Sequence, residues 1–218
     1  MTLTTTAAPA RTDLAPTTPR PDAERASTLR FVRRAGLGMA VGAATWATST
    51  LAVGNTPDTV AGARVQDLGG LAFQVGVLGL VLAMIRTRAT GTSRAARVML
   101  RVELVLLSLA MTWTVLHAAD PLWADENPAV VALDAFWPLS MLGMAIIGVK
   151  VALAGRWRGA ARFWPLVAES WAVIIVPTFL LIGPGKVADL VGAGHLVLGY
   201  AGLGLLLALR PQLTGARD

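Results

Sequence analysis

Residues 187–209 read VADLVGAGHLVLGYAGLGLLLAL. The run is long enough to cross a bilayer as a helix, which takes about 20 mostly apolar residues. It lacks the apolar–polar alternation of a half-buried strand. Backbone groups in lipid must be satisfied within the segment, and an α-helix does that. Gly192, His195, Gly199 and Gly202 recur at spacings of three, four and three, so they share one face. A histidine among glycines at that spacing belongs in a close-packed seam, not against lipid.

Five further runs have the same character, at 31–53, 67–85, 98–118, 128–153 and 163–182. The expected fold is all-α: a six-helix transmembrane bundle over residues 29–212, with a disordered tail at 1–28 and a short tail at 213–218. Residues 1–28 are rich in Thr, Ala, Pro and Arg and cannot bury a core. The first apolar run starts too late and is too long for a typical secretory leader. Composition agrees, since 55% of the 218 residues are hydrophobic, 15% are charged and the mean hydropathy is +0.61. Soluble domains are about 25% charged, and one soluble core of this size could not hide so much apolar surface.

Other classes are excluded quickly. With no Cys, disulfides, iron–sulfur clusters and thiolate metal sites are out. Only His117 and His195 are present, so a three-His zinc site is impossible, and their unequal depths do not suit bis-His haem. No cofactor or metal is expected. Motifs of P-loop NTPases, zincin metalloproteases and serine hydrolases are missing. A formal charge of +6 would point to nucleic acid in a soluble protein. Here the basic residues lie in short loops between apolar runs, so nucleic acid is not an expected partner.

Those loops set an orientation. Of 19 Lys and Arg, all but Arg64 and Lys186 fall at the chain ends or in the connections after the second and fourth runs. The opposite connections carry Asp58, Asp120, Asp125 and Glu126. The excess of Lys and Arg marks the cytoplasmic side, so both termini are expected inside, in a bacterial-type cell membrane. Trp157 and Trp164 read as an inner aromatic belt and Trp123 as an outer one.

Small and polar residues mark the inward faces of transmembrane helices. The stripes are Gly38, Gly42, Thr45 and Ser49 in the first run; Asp67, Gly70 and Gln74 in the second; and Glu103, Ala110, Trp113 and His117 in the third. They continue with Asp134, Met141, Ala145 and Gly148 in the fourth, and Arg162, Glu169 and Val173 or Val176 in the fifth. Together they place Thr45, Ser49, Gln74, His117, Asp134 and His195 in the outer half of the bundle.

The ionisable residues differ in what they can do. Asp67 and Asp189 read as helix N-terminal caps. Asn127-Pro128 starts the fourth helix, so Asp134 lies roughly 9 Å inside it, at about 1.5 Å per residue. Pro138 removes the hydrogen bond to the Asp134 carbonyl and kinks that helix. Intramembrane acids are costly and mark sites or partners. Glu103 and Glu169 read as ion-paired with arginines, Arg162 in the second case.

The leading functional expectation is an outward-facing cavity lined by Gln74, His117, Asp134 and His195 that binds a small ligand or proton. That would serve transport, sensing or accessory work for a partner membrane protein or a second copy. One alternative is a membrane enzyme with Asp134 or Glu169 as general acid on a hydrophobic substrate such as an isoprenoid. Another is a structural subunit whose polar residues only hold helices together.

Overall fold

The structure, a computed structural model, describes residues 21–215, the side chain of Pro21 excepted. Most of the expected tail at 1–28 and the last residues, 216–218, lie outside it. Within it the chain is helical and no strand is present among the described residues. Six helices are long and apolar enough to cross a membrane, which fits a multi-pass membrane protein.

The elements are α1 (Pro21–Val53), α2 (Val60–Thr87), α3 (Arg94–Ala119), α4 (Pro121–Glu126), α5 (Pro128–Asp134), α6 (Phe136–Ala154), α7 (Ala160–Ala168), α8 (Trp171–Ile182), α9 (Lys186–His195) and α10 (Gly202–Leu209). A π-helical turn, Leu196–Ala201, joins α9 to α10. Thus α5–α6, α7–α8 and α9–α10 are the fourth, fifth and sixth spans. The first helix starts at Pro21, ahead of the apolar run at 31, and α4 is an extra short helix in the third connection.

Local chemistry explains the boundaries. Thr59 and Ser93 cap α2 and α3, each side chain accepting the N–H of the third residue on. Asp120-Pro121 and Asn127-Pro128 start α4 and α5 with a capping side chain followed by proline, the residue best tolerated in a first turn. Gly155, at φ +63°, ends α6 in the left-handed conformation that costs glycine least. The fifth span breaks at Glu169–Ser170, not at Pro177, where a proline inside a helix is expected to kink it. The helix runs on through Pro177.

Helix α1 is the hub, packed between α2 on one side and the sixth span on the other. Glycine makes both seams possible. Gly42 meets the Ala72 carbonyl, Gly69 meets Ser49, and a Cβ at Gly76 would lie 2.8 Å from Met39 Cα. On the other face a Cβ at Gly204 would lie 2.5 Å from the Gly36 oxygen and 2.6 Å from Ala40 N. These contacts pair rising with falling residue numbers, so the helices run antiparallel. The expected stripe on α1 is only half right, because Gly38 has open space beside it and Thr45 is exposed. Gly36 and Ala40 take their place. Val173 and Val176 likewise face outward on α8.

Each end of the bundle has its own ties. At the arginine-rich end, Arg33 donates to the Ala208 carbonyl (3.1 Å), Arg86 lies 3.9 Å over the Phe31 ring, and the Arg158 N–H meets the Leu213 carbonyl. Trp157, expected in a lipid-facing belt, is fully buried and donates to Thr87 (3.0 Å). Trp164 turns inward too, onto the Gly199 carbonyl. At the acidic end Asp189 is not a cap. It accepts the Asn55 N–H at 2.9 Å and fastens the first connection to α9.

The glycine seams yield a test. Gly204→Ala is expected to destabilise the bundle by about 1–3 kcal/mol, because the added methyl has no room. Gly38→Ala is expected to stay within about 0.5 kcal/mol or to stabilise, since it meets nothing. Reversible unfolding in mixed micelles would measure both.

Candidate functional site

Asp67 starts the site. Thr59 caps α2 well before it, so Asp67 lies roughly 10 Å inside the helix at about 1.5 Å per residue, buried and free of any capping duty. The sequence signal for the true start was Thr59 itself, but Arg64 interrupts the apolar run behind it. Across the seam, His117 stands in the last turn of α3. Its Nδ1 is 2.7 Å from Asp67 Oδ2 and its Nε2 is 3.4 Å from Asp125 Oδ1 on α4. Trp113, one turn earlier, stacks on the imidazole at 4.8 Å. The ring is fixed on three sides.

Two turns deeper, Gln74 Nε2 donates to Thr114 Oγ1 at 2.9 Å. The Thr114 hydroxyl hydrogen is committed to the Ala110 carbonyl. Gln74 is buried, and its Oε1 has no hydrogen-bond partner among the described residues.

Asp134 enters from the third side. The fourth span is interrupted at Ala135, between α5 and α6. Pro138 has no N–H for the Asp134 carbonyl, so the predicted kink is present at that level. Among the described residues the Asp134 carboxylate makes no hydrogen bond, though it lies in the field of His117 and Asp125.

These groups share a cavity of about 530 Å³ at the acidic end, walled also by Trp46 and Trp137. Gln74, His117 and Asp134, expected together, all line it. Asp67 and Asp125 complete the cluster. Asp125 lay in a loop whose short helix could not be foreseen. The carboxylates and His117 are not gathered into a metal-binding group.

His195 is not part of this cavity. It lies against the fifth span, its Nε2 3.2 Å from Ser170 Oγ. The break at Glu169–Ser170 places Ser170 there, and the π turn brings the Gly199 backbone onto Ala168. Nor is Glu169 ion-paired or open to a pocket. It accepts a hydrogen bond from Tyr200 (2.9 Å), while Arg162 donates to the Ala152 carbonyl. Glu103 likewise has no arginine partner. Ser140 donates to its Oε1 at 2.6 Å, and Oε2, against Gly143, has no hydrogen-bond partner among the described residues. Neither glutamate lines either large cavity.

An aromatic cluster packs beside the cavity. Phe73 is fully buried, with Trp46 at 4.9 Å, Tyr200 at 4.8 Å and Trp137 at 6.2 Å. Trp46 and Trp137 wall the cavity, and Phe73 links them to Tyr200, the partner of Glu169. A second cavity of about 440 Å³ runs behind the same Trp46–Trp137 pair, lined by α8 residues such as Ile175 and Phe179 together with residues of α1 and α9 such as Thr50 and Ala188.

No protein-family model, curated protein or solved structure matches this chain.

The Asp67–His117 pair is expected to be structural. His117→Ala leaves Asp67 buried without its partner, and a buried group stripped of its hydrogen bond costs about 1–3 kcal/mol. The loss should be readable as a lower midpoint of unfolding, with Asp67→Asn in the same background recovering part of it.

Proposed function

We propose that this is a multi-pass membrane protein that binds a small ligand, or a proton, in the cavity at its acidic end. The observation that carries the reading is the convergence of Gln74, His117 and Asp134, from three different spans, on one cavity. A roomy pocket with few convergent polar groups is what small-molecule sites have in common. Intramembrane ionisable residues that face such a space are functional by default. The excess of Lys and Arg at the other end supports an orientation with the termini cytoplasmic and the cavity facing outward.

The mechanism follows from the break at Ala135. Asp134 sits where the helical hydrogen-bond ladder is already interrupted, so α5 can re-aim relative to α6 at small cost. Occupation of the cavity, or proton binding at Asp134, biases that hinge. Such a device suits a sensor, an accessory subunit or a small transporter. A membrane enzyme using Asp134 as general acid would occupy the same cavity.

The lack of native Cys makes a direct test possible. Single Asp134→Cys and Arg97→Cys variants would be exposed in intact cells to a membrane-impermeant methanethiosulfonate. Asp134→Cys is expected to react from outside, and Arg97→Cys only after permeabilisation. An unreactive Asp134→Cys, or labelling of Arg97→Cys in intact cells, would refute the outward-facing cavity.

A further inference from the structure

The composition of the cavity wall narrows the ligand. Among the described residues its ionisable groups are Asp58, Asp67, Asp125, Asp134 and a single base, His117, with no Lys or Arg. Arg64 stands on the same helix but donates to the Ala119 carbonyl at the end of α3. His117 is held between Asp67 and Asp125, so both of its ring nitrogens are already engaged. Asp134 is left without a hydrogen bond among the described residues. A wall this acidic repels anions and attracts a cation.

Gln74 adds an independent constraint. The Thr114 hydroxyl gives its hydrogen to Ala110 and can only accept from Gln74. In this arrangement the amide nitrogen faces Thr114 and the oxygen is free. That oxygen is a buried acceptor with no partner, and such an atom is costly unless a donor reaches it. Among the described residues the carboxylates are not gathered into a metal's ligand set. What fits is a cation that carries N–H.

The remaining wall is aromatic. Trp46, Trp113 and Trp137 line the cavity, and indole faces attract ammonium groups and bury apolar surface. Resting on the ligand-binding reading above, we infer that the cavity takes a protonated primary or secondary amine with an apolar or aromatic body. The ammonium sits between Asp134 and Gln74 Oε1, and the body lies against the tryptophans.

One chemistry could come from two sources, a soluble amine or the headgroup of an ethanolamine lipid. The lipid carries a phosphate close to its amine, which this acidic wall repels. The soluble amine is therefore the expected source.

The test uses the full chain in phosphatidylcholine nanodiscs and isothermal titration with three matched probes: phenethylammonium, 3-phenylpropionate and 3-phenylpropan-1-ol. Phenethylammonium is expected to bind saturably and at least ~10-fold more tightly than either of the others, as a charged hydrogen bond of about 1.5–3 kcal/mol implies. Asp134→Asn and Gln74→Leu should each weaken it by ~10-fold or more. Asp134 makes no hydrogen bond in the described structure, so its variant should keep the wild-type unfolding midpoint. That separates loss of binding from loss of fold. Equal binding of the propionate or the alcohol, still competed by blocking Asp134→Cys, overturns the amine assignment and leaves the ligand-binding cavity standing. No saturable binding by any probe overturns both. Loss of phenethylammonium binding when phosphatidylethanolamine is mixed into the nanodisc would overturn the soluble source in favour of the lipid headgroup.

Discussion

Lipid offers no hydrogen bonds, so every polar atom inside these helices must find its partner within the protein. That constraint accounts for much of the bundle's detail. Hydroxyls of Thr45, Thr48, Ser108, Thr112 and Thr178 fold back on carbonyls four residues earlier in their own helices. Buried groups also tie neighbours together: Gln74 to Thr114, Ser140 to Glu103, Tyr200 to Glu169, Trp157 to Thr87. Each such bond is modest, averaging about 0.6 kcal/mol where measured in membranes. Their effect lies in register, since a slid helix would leave both partners unsatisfied at once.

Glycine supplies the closeness those bonds need. Around α1 the backbones of α2 and α10 approach until a single methyl would clash. Dispersion contacts and short polar links then replace the hydrophobic drive that is missing between helices in lipid. Because α1 is held on both faces, the peripheral third to fifth spans can tolerate interruptions. Both helix breaks, at Ala135 and at Glu169–Ser170, occur there, one beside Asp134 of the cavity wall and the other at the buried Glu169.

The interior holds two polar groups. An acidic, aromatic-walled cavity lies at one end, while Glu103, Glu169, Tyr200 and His195 are buried outside it, and Phe73 touches both Trp46 and Tyr200. The buried glutamates line neither large cavity and now read as parts of the packing. Gln74, His117 and Asp134 line one cavity, a convergence that their stripes and depths suggested. His195 was expected in that cavity but packs against Ser170 of the fifth span, because a stripe gives a face and a height but not the neighbour opposite. Asp67 was mistaken for a cap because Arg64 hid the true start of α2. The arginine partners expected for Glu103 and Glu169 failed for a related reason: the bundle had a serine and a tyrosine nearer.

The amino-acid sequence by itself determined that the chain forms six apolar helices, where charge gathers along it, and that Pro138 must break the helix beside Asp134. These follow from hydropathy, backbone satisfaction and the missing proline N–H, all of which act locally. Which polar groups meet was decided only by the tertiary structure. The Asp67–His117–Asp125 cluster, the unpartnered Gln74 oxygen and the aromatic wall depend on the rotation and register of packed helices. Those are set by glycine contacts and buried hydrogen bonds between residues as far apart as Arg33 and Ala208, and no short-range pattern encodes them.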